Sequence, residues 1–178
     1  HKEYRRQRQM CIRDRLTPAQ HESLVDLLCE LHAYYRAPDD PQPAPAREQI
    51  RVHLRERLLS ETSPLRLVVA VRADGPVVGL AAIVLQHSLV DLHPHSSGQC
   101  QVKELYVGEQ ARNAGVGHAL MAWVARYALE QGCARMDWNV KAGNHRGRAF
   151  YEGLGATRVA DRLSYRLERE GMDKLVDA

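Results

Sequence analysis

Glu104-Leu105-Tyr106-Val107 and, after four intervening residues, Arg112-Asn113-Ala114-Gly115-Val116-Gly117 form the stretch whose reading decides the fold, with an amphipathic run to Gln131 behind them. A short apolar strand, a glycine-bearing turn and a long helix follow one another. Such a turn presents several backbone N–H groups with no intrahelical partner at the positive end of the helix dipole. That is a cradle for a phosphate-bearing anion. Gly115 and Gly117 carry no Cβ, so an anion approaches the main chain closely, and Arg112 brings a guanidinium to the same place.

Two nucleotide-binding patterns are excluded on spacing. A dinucleotide fingerprint needs a glycine three residues after Gly117, where the chain has Leu120, and a Walker loop needs Lys-Ser/Thr where the chain has His118-Ala119. Neither NAD nor ATP fits.

Downstream, Met136-Asp137-Trp138-Asn139-Val140 alternates as a strand, with Met136, Trp138 and Val140 on one face. After a turn at Lys141-Ala142-Gly143 comes Asn144-His145-Arg146-Gly147-Arg148-Ala149-Phe150-Tyr151-Glu152-Gly153-Leu154-Gly155-Ala156, which reads as a short helix ending at a glycine C-cap. The pair Leu-x-Val…Arg-x-x-Gly-x-Gly and N-x-x-A-x-x-F-Y-x-x-L-G-A, in this order, resembles the GNAT superfamily of N-acetyltransferases. The resemblance covers residues 65–167 firmly and the helical segments before them loosely. It is nearest to the diamine and polyamine acetyltransferase branch, followed by aminoalkylphosphonate acetyltransferases.

The resemblance implies an α/β (α+β) fold: a mixed, mostly antiparallel sheet of six to seven strands with a central splay and helices on both faces. It implies acetyl-CoA as co-substrate, held by Leu105, Tyr106, Val107, Arg112, Asn113, Ala114, Gly115, Val116, Gly117, His118, Asn144 and Tyr151. The pantetheine arm pairs with the strand ending at Val107 as a short extra strand does. It places the Tyr151 hydroxyl beside the sulfur, as the acid that protonates the departing thiolate. A homodimer is a further expectation of this kind.

Acetyl transfer to an amine needs the amine neutral, and an alkylamine with a pKa of about 10.4 arrives protonated at neutral pH. Glu104 is the candidate base or amine anchor; its other reading is a surface sheet residue paired with a lysine or arginine. A main-chain N–H of Leu105–Val107 is the expected donor to the acetyl carbonyl oxygen. Glu104, His87 and Tyr35 are the expected acceptor-site residues. The expected activity is direct transfer of the acetyl group to a primary amine of a small, polyamine- or diamine-like molecule. The alternatives are another amine class (aminoalkylphosphonate, aminoglycoside, amino acid or protein amine) or a catalytically silent acyl-CoA-binding module.

Composition sets outer bounds. The chain has 178 residues, 44% hydrophobic and 26% charged, which suits one globular domain, expected over residues 16–178. No apolar stretch reaches the length of a membrane span. Residues 1–15 carry six cationic and two acidic side chains, so the net charge of +3 becomes −1 for residues 16–178. The body is nearly neutral, and nucleic acid is not an expected partner. The leader reads as a disordered or non-native basic segment, Arg8–Asp14 resembling translated adapter sequence. The competing reading begins the native chain near Met10 and puts Cys11-Ile12-Arg13 into a first strand. Cys11, Cys29, Cys100 and Cys133 show no C-x-x-C spacing, which suggests free thiols in a reducing, cytoplasmic setting. His93-Pro94-His95 lacks a third ligand, and no metal is expected.

Periodicity and punctuation supply the rest. Thr17-Pro18 opens a first helix with Leu24, Leu27, Leu28 and Leu31 on one face, running to Tyr34-Tyr35. Pro38–Pro45 is an extended loop whose Asp39 and Asp40 read as solvated, the other reading being attraction of a cationic acceptor, and Arg47–Leu59 is a second helix. Leu65–Val71 and Val77–Leu85 are hairpin strands across Asp74-Gly75, Cys100–Val107 is the next strand and Arg158–Leu167 a last one. The polar loop His87–Gln99 between them is long enough to suggest a function. The strands near 104 and 136, joined by the helix Gly115–Gln131, are expected to be parallel with a right-handed crossover.

Overall fold

The computed structural model describes residues 10–73, 75–93 and 95–176. They fall into two compact units, His1–Asn139 and Val140–Ala178.

In the first unit Thr17 caps helix α1 (Pro18–Tyr35) through a capping box: its Oγ1 accepts from the Gln20 N–H and the Gln20 side chain accepts from the Thr17 N–H at 2.9 Å. Helix α2 (Arg47–His53) widens at its end into a π turn over Leu54–Leu58, closed by the Leu59 N–H on the Leu54 carbonyl. The second helix is therefore shorter as a regular α-helix than the spacing predicts. Its register change leaves Ile50 and Leu54 buried and Leu58 packed against the core.

Five strands form one sheet in the order β1 (Met10–Arg13), β2 (Arg66–Arg72), β3 (Val77–His87), β4 (Gly98–Val107) and β5 (Cys133–Trp138). Strand β1 occupies the place that the second reading of the leader gives Cys11-Ile12-Arg13. The first three pairings are antiparallel, and β4 pairs with β5 in parallel across helix α3 (Val116–Glu130), as expected. Helices cover both faces. Leu24, Leu27 and Leu28 of α1 with Ile50 and Leu54 pack on Leu67, Val69, Val71, Leu80, Ala82 and Tyr106. Helix α3 lies on the opposite face, where a Cβ on Gly79 would stand 3.0 Å from Val116 Cγ1 and 3.2 Å from Leu120 Cδ1. Burying these apolar side chains supplies the main driving force for this unit.

Trp123 and Tyr127 of α3 are half-buried; their rings stack at 5.3 Å and the Arg66 guanidinium sits over Tyr127. Cys100 and Cys133 are buried, Cys29 is half-buried and Cys11 exposed, and all four are free thiols. The loop after β3 is a closed hairpin connection, with the Ser88 N–H donating to the Ser97 carbonyl at 2.7 Å. No helix among the described residues is long and apolar enough to cross a membrane.

The second unit holds helix α4 (His145–Gly153) and helix α5 (Arg169–Val176). Two expectations need correction. The strand predicted over Arg158–Leu167 does not form: its alternating Leu163, Tyr165 and Leu167 are exposed, and this unit has no strand among its described residues whose ladder the segment joins. Among the described residues the sheet accordingly has five strands, not six or seven. Strand β5 also begins earlier and ends sooner than Met136–Val140, because its pairing with β4 stops at Val102↔Trp138.

Candidate active site

The end of that pairing creates the site. Against β3, Ile83 pairs with Val102 and Ala82 with Glu104, which leaves Lys103 as the extra residue of a β-bulge. Beyond the bulge β4 runs on to Val107 while β5 has stopped, so the sheet is open along one edge over Glu104–Val107. The Gly108 N–H donates to the Val78 carbonyl at 3.0 Å, which assigns the main-chain groups of Tyr106 and Gly108 to β3. Alternation then turns those of Leu105 and Val107 toward the open edge. An extended ligand arm would meet there the Leu105 carbonyl and the Val107 N–H, because the Val107 carbonyl accepts from Arg112 Nε and the Leu105 N–H donates to the Glu104 carboxylate.

The open edge leads into the anion cradle. A single turn at Glu109–Ala111 follows β4, and Asn113 (φ +61°) and Gly115 (φ +78°) then take left-handed conformations. Gly115 is the N-cap of α3, with no side-chain cap on the first-turn N–H groups, and a Cβ built on it meets nothing within 4 Å. Open space over uncapped amides at the start of a 15-residue helix suits a diphosphate. Gly117 and Ala119 are half-buried in the first turn and His118 and Ala114 are exposed.

Arg112 also binds the end of β4. Its Nε donates to the Val107 carbonyl at 3.0 Å and its Nη2 to the Tyr106 hydroxyl at 3.4 Å, and the guanidinium lies over the Tyr34 and Tyr106 rings. The side chain fastens the turn to the end of β4. The Tyr106 hydroxyl in turn donates to Glu30 Oε1 at 2.9 Å; burial and this carboxylate push the phenol up to about 12.

Glu104 is half-buried on the α1 side of the sheet, and its Oε1 accepts from the Tyr35 hydroxyl at 3.1 Å. Burial pushes its carboxyl above the ordinary range, opposed by the Tyr35 hydroxyl and the Leu105 N–H, which favour the charged form. Tyr34 and Tyr35 meet edge to face at 5.2 Å, and Tyr34 approaches Tyr106 at 5.9 Å. A carboxylate held by the Tyr35 hydroxyl beside the open edge suits a cationic amine.

The structure thus brings together Tyr35, Glu104, Leu105, Tyr106, Val107 and Arg112–His118. His87 is not with them: it pairs with Gly98, five residues along β3 from the partner of Glu104, roughly 16 Å away at the usual rise per residue. Asp40 accepts from the Gln42 N–H and pairs with Arg36, which ties the proline loop to itself. No cluster of three His, Cys, Asp or Glu arranged to hold a metal occurs among the described residues. Asn144 and Tyr151 lie in the second unit. Asn144 caps α4 by accepting from the Gly147 N–H at 2.8 Å, and Phe150 and Tyr151 meet edge to face at 5.3 Å. The helix ends with the Ala156 N–H on the Tyr151 carbonyl, the Gly155 N–H on the Glu152 carbonyl and Gly155 at φ +85°, the glycine stop the sequence predicts.

No sequence motif marks Glu30 as functional. The available signal was an acid one turn after Leu27 and one turn before Tyr34, flanking the apolar stripe of α1.

The family model described as "Acetyltransferase (GNAT) family" matches residues 24–156, and the chain belongs to that family. Thialysine N-epsilon-acetyltransferase of Mus musculus is 35% identical over 82 residues, 42% of this chain and 45% of that protein, and the Sus scrofa protein of the same name is 33% identical over the same extent. The chain spans less than half the length of these curated relatives. Among solved structures, the integron cassette protein VCH_CASS6 from the mobile metagenome of V. cholerae superimposes with a TM-score of 0.82 at 28% identity, over 96% of this chain and 99% of that one. The aminoglycoside N-acetyltransferase AAC(6')-Iy in complex with CoA shares the fold, with a TM-score of 0.64 at 23% identity over 90% and 95% of the two chains.

Proposed function

We propose that the protein is an acetyl-CoA-dependent N-acetyltransferase that modifies a primary amine of a small molecule, and that both compact units belong to its one catalytic domain. The observation that carries this reading is the open edge of β4 over Leu105–Val107 running directly into the uncapped start of α3 at Gly115. The family match supports it and extends across Asn139/Val140, the boundary between the units.

When bound, acetyl-CoA supplies the activated acetyl thioester. The first-turn N–H groups of α3 hold its diphosphate, and the main chain of Leu105 and Val107 pairs with its amide arm. Glu104, poised above an ordinary carboxylate, takes the proton from the acceptor ammonium, while Tyr35 keeps it oriented. An N–H of Leu105–Val107 faces the carbonyl oxygen as charge develops on it. The Tyr151 hydroxyl would be the acid that supplies the departing thiolate with its proton. Holding the two reactants together lowers the entropic part of the barrier.

The acceptor is a terminal alkylamine of the diamine or polyamine kind. The Glu104 carboxylate with the Tyr35 hydroxyl on it suits a cationic chain, and the mouse relative is named thialysine N-epsilon-acetyltransferase. The homodimer and the cytoplasmic setting belong to the same reading, the latter on four free thiols. An acceptor screen tests it: thiol release that depends on diamines or polyamines supports the reading, and release only with aminoglycosides, aminoalkylphosphonates or peptides moves the acceptor to that class.

A further inference from the structure

The turn that carries the anion cradle has an anchor outside itself. Glu30 stands on α1, 79 residues before Glu109 in the chain, and its Oε1 accepts two hydrogen bonds: the Glu109 N–H at 2.7 Å and the Tyr106 hydroxyl at 2.9 Å. Glu109 opens the single turn between β4 and the cradle, and Tyr106 is the buried residue three positions before it. The other carboxylate oxygen lies over Gly108: a Cβ built there would stand 3.5 Å from Glu30 Oε2 and 3.2 Å from Leu27 Cδ1. A glycine at 108 thus lets the helix approach the turn. Beyond Tyr106 the chain of donors continues, since Arg112 Nη2 donates to the same hydroxyl while its Nε holds the Val107 carbonyl.

We propose that Glu30 is a positioning residue for the coenzyme: it fixes the β4-to-α3 turn, and through Tyr106 and Arg112 it sets where the first amides of α3 point. This rests on the acetyl-CoA reading of that turn. Two charge-assisted bonds on one oxygen restrain both the strand end and the turn, which uncharged packing by Leu27 alone does not do. Helix α1 carries Tyr35 five residues further on, against Glu104. One helix therefore holds the coenzyme turn near its middle and the acceptor carboxylate at its end, and loosening the first contact loosens the coenzyme grip before it touches the chemistry.

The test compares Glu30→Ala with Glu30→Gln. The glutamine oxygen accepts both bonds without the charge, and alanine accepts neither. The expected result is that Glu30→Ala weakens coenzyme A binding and raises the acetyl-CoA KM by about tenfold with kcat changed less than about twofold, while Glu30→Gln recovers most of the affinity. Amide exchange of Glu109 in the free protein is the second readout, accelerated in Glu30→Ala and close to wild type in Glu30→Gln. Wild-type coenzyme affinity together with wild-type Glu109 exchange in Glu30→Ala overturns the proposal. So does an equal loss of affinity in both variants. A wild-type protein that binds no coenzyme A overturns the acetyl-CoA reading instead, and Glu109 exchange then still decides whether Glu30 anchors the turn.

Discussion

The Tyr35 hydroxyl donates to Glu104 Oε1 at 3.1 Å and so joins the last residue of α1 to the strand that opens the sheet. Burial holds the Glu104 carboxyl above its ordinary 4.5, and this hydroxyl is the larger of the two influences that oppose the rise. Removing a donor that favours the charged form raises the pKa further. Tyr35→Phe is therefore expected to shift the acidic limb of kcat/KM to higher pH. Glu104→Gln is expected to abolish that limb and to lower kcat by about 10²-fold or more. A pH–rate profile of the three proteins checks both; an unmoved limb in Tyr35→Phe removes Tyr35 from the site.

The same carboxylate makes a prediction about stability. A folded-state pKa above 4.5 means that the native protein binds this proton more tightly than the unfolded chain. The contribution of Glu104 is fully present below 4.5 and is lost as pH rises through the raised folded value. Once the pH has passed that raised value the ionised, half-buried group is a liability, so there Glu104→Gln is expected to leave the melting temperature unchanged or raise it while activity falls. Thermal unfolding at pH 4 and pH 7.5 tests this, and a variant clearly less stable at pH 7.5 contradicts it.

Gly79 sets how closely α3 lies on the sheet. A Cβ there would sit 3.0 Å from Val116 Cγ1, 3.2 Å from Leu120 Cδ1 and 3.2 Å from the Tyr106 carbonyl oxygen. Gly79→Ala is expected to cost about 1–3 kcal/mol and, because Val116 begins α3, to weaken coenzyme binding as well. Denaturant unfolding and a coenzyme titration read the two effects. Gly115 is different, since its surroundings are open and only its φ of +78° resists a side chain. Gly115→Ala is expected to cost about 1–2 kcal/mol by backbone strain alone.

Tyr151 carries the proposed acid. Tyr151→Phe is expected to depress kcat while coenzyme affinity stays within about twofold, because only the hydroxyl is lost. Unchanged turnover across the pH range would remove the assignment.

Much of the first unit was legible in the sequence because its signals are local. Thr17-Pro18 starts a helix, the β-branched runs give β2 and β3, and Gly132 stops α3 at φ +75°. The order Leu-x-Val, turn, helix gave the cradle and the parallel pairing of β4 with β5. What local patterns do not carry is where a ladder ends. The bulge at Lys103 and the stop at Trp138, which together open the edge, are properties of two strands at once. Alternation at Leu163, Tyr165 and Leu167 likewise suggested a strand, but hydrogen-bonding a strand requires a neighbour that periodicity does not supply. Glu30 was missed for the same reason: its partners, Glu109 and Tyr106, are more than 70 residues away in the chain. Arg112 was legible as a cation at the turn, but its bonds to Val107 and Tyr106 were not.

The most direct measurement of the central claim is continuous detection of free coenzyme A thiol from acetyl-CoA, with and without a panel of diamines, polyamines, aminoalkylphosphonates, aminoglycosides, amino acids and peptides. The proposed function predicts release that depends on an added primary amine, is largest with a diamine or polyamine, and collapses in Glu104→Gln. Saturable coenzyme binding with no amine-dependent release from any member of the panel would contradict it and leave a binding module in its place.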